Sequence, residues 1–438
     1  NEFFLSNKTE YFRYFLAKYG SNGEFLGAKT IGGSDDLQIY FGTLSINIYN
    51  NNDVAVAGSF KNSINFDPLR PEFAASSEVW HTFFARYSPN LDFISAKTME
   101  AYRTFSSKID KQDNIYIAGY FNGTTDFDPD ATTHNVESTM YMDSYLAKYN
   151  SDGTFQWALT PSASGSDDYA NRLAIDSLGN AYLIGSFNTS IKFSNENNEF
   201  IFDGPDGAYN GYILKCNAEG KVITAKAISG ITNESTGLEI TKDNNVIATG
   251  NFGGNIHFGG IVIEADGYYQ EAYLAAYSET LICTSAFKIG SVYYDGMSAL
   301  ALDSKNNILC TGYFTETVDF DPSGEEALLY SPFPSEPGLY YDIFVAKYSL
   351  GDQINTEEIR SDNLILLSPN PALGSVRISY PESVGLRSVS LLNQYGEELD
   401  IAFSHETQTI DMSGLPAGLY FVRMLTNSGV VIEKIIKL

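Results

Sequence analysis

Cysteine is almost missing: Cys216, Cys283 and Cys310 are the three in 438 residues. Their number is odd and no CxxC pair occurs, so zinc-ribbon and dithiol redox motifs are absent. Histidine is as scarce, and His81, His134, His257 and His405 stand far apart without ligand spacing. No GxSxG, HExxH or phosphate-binding loop is present. Basic residues number 27 against 54 acidic ones, a net charge of −27 with a pI near 4.4. Such a surface repels phosphate backbones and excludes nucleic acid as a partner. It keeps the chain soluble, and divalent cations or a basic partner are the functional alternative. No apolar run reaches the ~18 residues of a membrane-spanning helix. Asn1 to Glu10 has neither a basic n-region nor an apolar h-region, so a signal peptide is either already removed or never present.

Aromatics are abundant by contrast. There are 30 Tyr and 29 Phe beside only 2 Trp, and apolar residues make up 43% of the chain, enough for a sizeable core. Tyr and Phe favour strands. They are also periodic. VAVAGSFKNSINFDP (Val54–Pro68) returns as Ile115–Pro129, Ala181–Asn195, Val246–Gly260 and Ile308–Pro322. Its glycines, Gly58, Gly119, Gly185, Gly250 and Gly312, are 61, 66, 65 and 62 residues apart. Two residues after each stands Phe60, Phe121, Phe187, Phe252 or Phe314. Eight after it stands Phe66, Phe127, Phe193, Phe258 or Phe320. This regularity fixes a repeat architecture. The glycine marks a close approach of backbone or ring, and the phenylalanines are core.

A second motif interleaves with the first: an apolar strand ending in Lys-Tyr or a variant, a turn, and another strand. Its copies start at Tyr14, Thr82, Ser144, Gly211, Ala272 and Asp342. The SNG, SDG and AEG turns are hairpin chemistry. A further short strand, such as Leu173–Asp176, precedes each glycine motif. One unit is then four antiparallel strands, the pattern of a propeller blade. In Ile115–Phe121 neither alternate face is charged, as in a sheet packed between two others. The three cysteines fall where other copies place Tyr, Phe or aliphatics, and so read as core.

Glu2–Ser6 resembles the loop before a third strand, so the chain is expected to start in mid-repeat, with a first and second strand before Asn1. The expectation is five complete repeats plus a partial N-terminal one, in a ring of six or more blades. The alternative is a closed five-blade ring in which Phe25–Ile31 supplies the strand missing after Tyr348. The loops between second and third strands vary most and are the expected place for binding. They carry Trp80, Tyr141, Tyr209, Tyr268, Tyr269, Tyr340 and Tyr341, which either pack under their own loops or contact a glycan or protein.

Asn65-Phe66-Asp67-Pro68, Asp126-Phe127-Asp128-Pro129 and Asp319-Phe320-Asp321-Pro322 place oxygen side chains two apart. They read as turn caps, with Asp67, Asp126, Asp128, Asp319 and Asp321 as the calcium alternative. No other cofactor is indicated. Gly33–Asp36 and Gly165–Asp168 (both GSDD) read as turns between blades. After Tyr348 the pattern ends. The division is a propeller over 1–350, a linker over 351–363, and a small Ig-like β-sandwich over 364–438.

Asn1–Gly351 resembles bacterial β-propeller repeats of the SBBP type. Leu364–Leu438 is similar to the C-terminal sorting domain of type IX secretion cargo in Bacteroidota. The likeness rests on Ser368-Pro369-Asn370-Pro371, Val389–Leu399 with its Gly396 turn, Leu415–Arg423 and Lys434–Leu438, in the family's order. That resemblance implies export through the periplasm and across the outer membrane to the surface or the medium. It implies recognition by an outer-membrane shuttle barrel and translocon, and removal of the domain by a sortase-like peptidase. Pro369, Asn370, Pro371, Gly418, Tyr420, Lys434 and Lys437 are the recognition residues it suggests. Without a nucleophile–base motif, the expected function is non-catalytic binding. The alternatives are a propeller glycosidase or lyase using paired carboxylates, or a spacer for a missing effector domain.

Overall fold

The repeat's second strand, Ile115–Phe121, has no polar face, and all seven of its residues are buried. It needs a sheet on either side. The computed structural model describes residues 13–32, 38–39, 44–67, 69–130, 132–139, 141–164, 167–194, 198–204, 209–267, 269–323, 326–331, 341–349, 366–369, 372–380, 386–393, 398–399, 401, 403–404, 407–426 and 429–438. Two compact units divide the chain, Asn1–Ile354 and Asn355–Leu438.

The first unit is a succession of antiparallel blades. Blade one is the pair Tyr14–Tyr19 and Phe25–Ile31. Blade two is Ser45–Ile48, Val54–Asn65, Ala74–Tyr87 and Phe93–Met99. Blade three is Arg103–Ile109, Ile115–Phe121, Asp143–Tyr149 and Phe155–Leu159. Blade four is Asp168–Ile175, Ala181–Asn188, Tyr209–Cys216 and the first half of Val222–Ile240. The second half of that long strand opens blade five, followed by Val246–Phe258, Glu271–Tyr277 and Cys283–Ile289. Blade six has three strands, Gly296–Leu302, Ile308–Phe314 and Asp342–Tyr348.

The repeat count therefore differs from the sequence reading in one respect. The last repeat lacks a fourth strand among the described residues. Phe25–Ile31 does not fill that place, because it pairs with Tyr14–Tyr19 instead. The five-blade alternative is thus not what forms. Glu2–Ser6 lies outside the described residues, as do Gly33–Asp36, Tyr268 and Tyr340.

Each blade turns one face to its predecessor and the other to its successor. Ile115, Ile117 and Phe121 pack with Ala55, Ala57 and Phe84 of blade two. Tyr116 and Ala118 pack with Leu173, Leu183 and Leu214 of blade four. All ten repeat phenylalanines are buried, each contributing roughly 1.5–3 kcal/mol. At Gly119, Gly185 and Gly312 the repeat glycine answers a bulge in the first strand, which slips register between Thr104 and Ser106, between Ala170 and Arg172, and between Met297 and Ala299, whereas Gly58 faces the Phe83 ring. The slip drives a carbonyl inward. A Cβ on Gly119 would stand 1.8 Å from the Arg103 oxygen, and one on Gly185 2.0 Å from the Tyr169 oxygen.

Two details escaped the sequence. The loops after the second strands fold into ribbons, such as Thr124–Asp126 with Asn135–Glu137. In blades two, three and six the third-strand tyrosine anchors the ribbon's end: Tyr87, Tyr149 and Tyr348 hydroxyls donate to the Phe66, Phe127 and Phe320 carbonyls at 2.9, 2.8 and 3.0 Å. At the 3–4 hairpins, Gly153 takes φ +88°, but Leu91 and Leu281 adopt the same left-handed turn at +66° and +60°. Both leucines are buried there, which offsets a backbone cost of about 1–2 kcal/mol. Cys216 and Cys310 are buried, whereas Cys283 is only partly so. Burial pushes all three thiols up to about 12, away from reactivity.

The second unit sets two four-stranded antiparallel sheets face to face. One holds Leu366–Ser368, Ser375–Ser379, Thr409–Asp411 and Phe403–Ser404; the other Glu398–Leu399, Ser388–Asn393, Gly418–Thr426 and Gly429–Lys437. Val376, Ile378, Ile410, Leu391, Val422, Met424 and Ile435 fill the space between them.

Candidate functional site

At one end of the blades the second strands finish and the first and third begin. There the aromatic side chains run on from blade to blade. Trp80 lies 6.2 Å from Tyr102, and Tyr102 stacks on Tyr120 at 5.6 Å. Tyr120 meets Phe105 at 5.6 Å and Tyr169 at 5.1 Å, and Tyr169 meets Tyr209 at 5.9 Å. The Arg103 guanidinium lies 4.5 Å over Phe105. The seam crosses blades two, three and four. Tyr120 is buried and the other five rings are half-buried, so they offer edges and faces to solvent. Blades five and six carry a counterpart. Tyr269 approaches Tyr293 at 6.0 Å and Tyr294 at 4.5 Å, Tyr313 approaches Tyr341 at 5.1 Å, and Gln270 Nε2 donates to the Tyr313 hydroxyl at 3.1 Å.

Of the aromatics singled out from the sequence, Trp80, Tyr209, Tyr269 and Tyr341 join these seams. Tyr141 is exposed on the loop before the third strand of blade three. Tyr102, Phe105, Tyr120, Tyr169, Tyr293, Tyr294 and Tyr313 were missed. They sit at strand ends, where a rim tyrosine and a core tyrosine have the same local pattern.

Acidic side chains accompany the seam, among them Asp167 and Asp168 of the GSDD run read from the sequence as a turn. Asp168 is the first residue of a strand rather than a turn residue, and is fully buried. Its Oδ1 accepts the Ser144 amide at 2.8 Å, while Oδ2 has no hydrogen-bond partner. Asp143 accepts the Thr139 amide and hydroxyl at 2.8 and 3.0 Å. Asp167 accepts the Met142 amide at 3.0 Å and the Tyr169 hydroxyl at 3.2 Å. Between blades five and six, Asp295 accepts the Ser291 amide and hydroxyl and the Thr315 amide, and Glu271 accepts the Asp266 amide at 2.5 Å.

Desolvation, helped by neighbouring acids, raises Asp168 and Glu271 to about 7. Asp143 and Asp295 rise for the same first reason. A raised folded pKa means that the native state holds a proton the unfolded chain has lost. Stability is therefore full below the unfolded carboxylate range and declines as pH climbs toward 7. The melting temperature should be higher at pH 5 than at pH 8. Asp168→Asn should raise it at pH 8 and flatten the slope, an effect on the order of a few kcal/mol. Equal slopes in thermal melts of the two proteins would contradict this origin.

The carboxylates weighed for calcium accept hydrogen bonds from protein groups. Asp67 Oδ2 pairs with Arg70 at 2.7 Å. Asp126 Oδ1 accepts the amides of Asp128 and His134, and Asp319 Oδ1 those of Asp321 and Ala327. Asp128 and Asp321 accept the amides of Asp130 and Ser323. These are turn and ribbon caps. Among the described residues no group of three His, Cys, Asp or Glu is arranged to hold a metal.

In the second unit, Gly418 pairs with Lys437, and the Tyr420 hydroxyl donates to the Pro416 carbonyl at 2.9 Å. Lys434 is exposed, whereas Lys437 is buried and its Nζ donates to the Leu438 carbonyl. The Ala372 amide donates to the Ile436 carbonyl at 2.7 Å and the Leu438 amide to the Ala372 carbonyl at 2.9 Å, tying the C-terminal strand to the first sheet. Pro369 follows the first strand of that sheet, and Asn370 and Pro371 lie outside the described residues.

Residues 367–438 match the secretion system C-terminal sorting domain, and residues 156–189 match a β-propeller repeat. The sorting domain marks the chain for export by the type IX system to the cell surface or extracellular space and implies contact with that machinery. No curated protein matches the chain. Among solved structures it is similar to the extracellular domain of a one component system from B. thetaiotaomicron, at 12% identity and a TM-score of 0.24, covering 92% of this chain. It spans 58% of the length of that structure. It is also similar to the Dos1 propeller, at 8% identity and a TM-score of 0.30, covering 91% of this chain and 93% of the other.

Proposed function

We propose that this type IX cargo, a propeller followed by a sorting domain, is a non-catalytic binding protein that takes carbohydrate on its aromatic rim. The observation that carries the reading is the seam from Trp80 to Tyr209, with successive rings 5.1–6.2 Å apart across three blades. Half-exposed rings of this kind offer rigid apolar faces with hydroxyls at their tips. Sugars present the matching pair of C–H faces and hydroxyl edges. The net charge of −27 disfavours polyanionic glycans, so neutral ones are the class that fits. The acids support binding rather than chemistry, because Asp143, Asp168 and Asp295 are buried. The tail would hand the folded cargo to an outer-membrane shuttle barrel and then to a sortase-like peptidase.

A glycan array probed with the intact protein tests the reading. Neutral oligosaccharides should be retained, and Tyr169→Ala should weaken binding about 10-fold, near 1.4 kcal/mol. Tyr330→Ala, on an exposed ribbon of blade six, should not. Retention unchanged in Tyr169→Ala, or no carbohydrate retained at all, would count against it.

A further inference from the structure

One repeat position on the rim has a period of two blades. In the third strands of blades two to six, His81, Asp143, Asn210, Glu271 and Asp342 pair with the repeat phenylalanines. The residues just before them are Trp80, Met142, Tyr209, Gln270 and Tyr341. Blades two, four and six therefore carry a ring at this point, and blades three and five do not. Each ring has a companion. Trp80 lies 6.2 Å from Tyr102, Tyr209 lies 5.9 Å from Tyr169, and Tyr341 lies 5.1 Å from Tyr313. Trp80 and Tyr209 are half-buried and Tyr341 is exposed.

The intervening blades repeat each other as well. The Met142 and Gln270 carbonyls accept the Asp168 and Asp295 amides of the next blade, both at 2.8 Å. Each of the two is followed by a buried acid, Asp143 or Glu271. These positions join blades and hold no ring. A unit of one ring pair and one joint thus spans two blades and starts again in blade six.

Stacked sheets pack about 10 Å apart, so ring pairs two blades apart are separated by roughly 20 Å. One or two sugar units cover a single pair. Only a chain of several units reaches from one pair to the next. The blades belong to one compact unit, so the pairs are spaced before any ligand arrives. A chain already held at one pair then meets the next at a high effective concentration.

We infer that the ligand is a neutral polysaccharide, one chain of which engages the Trp80, Tyr209 and Tyr341 pairs together. This rests on the carbohydrate reading above. It adds the length of the ligand and a third pair, which lies outside the seam from Trp80 to Tyr209. Each pair alone holds sugar weakly, and affinity grows with the number of pairs that one chain reaches.

A size series of one array-selected neutral glycan, titrated into the intact protein carrying Trp157→Phe, tests it. Trp80 is then the sole tryptophan, and its emission reads the first pair. Half-saturation, expressed per glycan chain, should fall about 100-fold or more from the disaccharide to the long polymer. Tyr341→Ala should reverse about 10-fold of that gain, near 1.4 kcal/mol, and leave the disaccharide titration unchanged. Tyr330→Ala, on an exposed ribbon of the same blade, should do neither. Half-saturation independent of chain length would overturn the inference and leave the carbohydrate reading standing. So would a Tyr341→Ala variant that shifts both titrations alike, or neither. Binding of no member of the series would overturn both.

Discussion

A chain lacking residues 414–438 is expected to keep its propeller folded inside a type IX-competent cell and to place none of it at the surface or in the medium. The deletion removes Gly418–Thr426 and Gly429–Lys437, two of four strands in one sheet of the tail. Val422, Met424 and Ile435 leave the core with them. Leu391 and Ile410 then face water and the small domain cannot persist, since two strands against one sheet bury too little. Among the described residues the propeller's core clusters draw on no tail residue. Fractionation with a protease-accessibility assay reads the result. A milder variant separates recognition from folding: Lys434→Ala changes an exposed side chain and should leave the sandwich intact while reducing delivery. Normal surface delivery of the truncated chain would refute the role given to the tail.

The second large effect is expected at Gly185. A Cβ there would stand 2.0 Å from the Tyr169 carbonyl and 2.5 Å from the Tyr212 hydroxyl. The carbonyl belongs to a bulged strand paired with the glycine's own strand, and Tyr212 is fully buried. Neither group can retreat without moving a blade. Gly185→Ala should therefore cost about 3 kcal/mol or more, the upper range for overpacking, read as a lowered urea midpoint. Gly27→Ala is the control, since a Cβ there meets nothing within 4 Å and the change should be neutral or slightly stabilising. Similar losses in both would mean that the bulge does not dictate the repeat glycine.

That glycine shows how far the sequence could be read. Its recurrence with Phe at +2 and +8 was enough to place the second strand of each blade and both of its core rings. The reason for it, a carbonyl pushed inward by a slipped first strand, has no signature of its own in the first strand. A tie between blades is hidden in the same way. Lys148 was legible as a strand ending, but its acceptor is the Ala218 main chain 70 residues away, and a carbonyl belongs to every residue. The acids fail for another reason. Asp168 sits in a GSDD run that looks like any polar turn, and the Ser144 amide its carboxylate accepts lies 24 residues earlier on a neighbouring blade. The rim was half legible: Trp80 and Tyr209 stand out at loop ends, while Tyr120 follows the repeat glycine and looked like core. It is both core and rim, buried itself and carrying the rings that are not.

Trp80 belongs to the seam, and Trp157 lies on an outer strand with its indole N–H donated to the Ala218 carbonyl at 3.0 Å. These are the 2 tryptophans of the chain, so emission reports on the rim with an internal control. Titrating the intact protein with an array-selected neutral oligosaccharide should give a saturable emission change that disappears in Trp80→Phe and persists in Trp157→Phe. A change that follows Trp157 instead, or unaltered emission while the sugar is demonstrably bound, would put the ligand elsewhere.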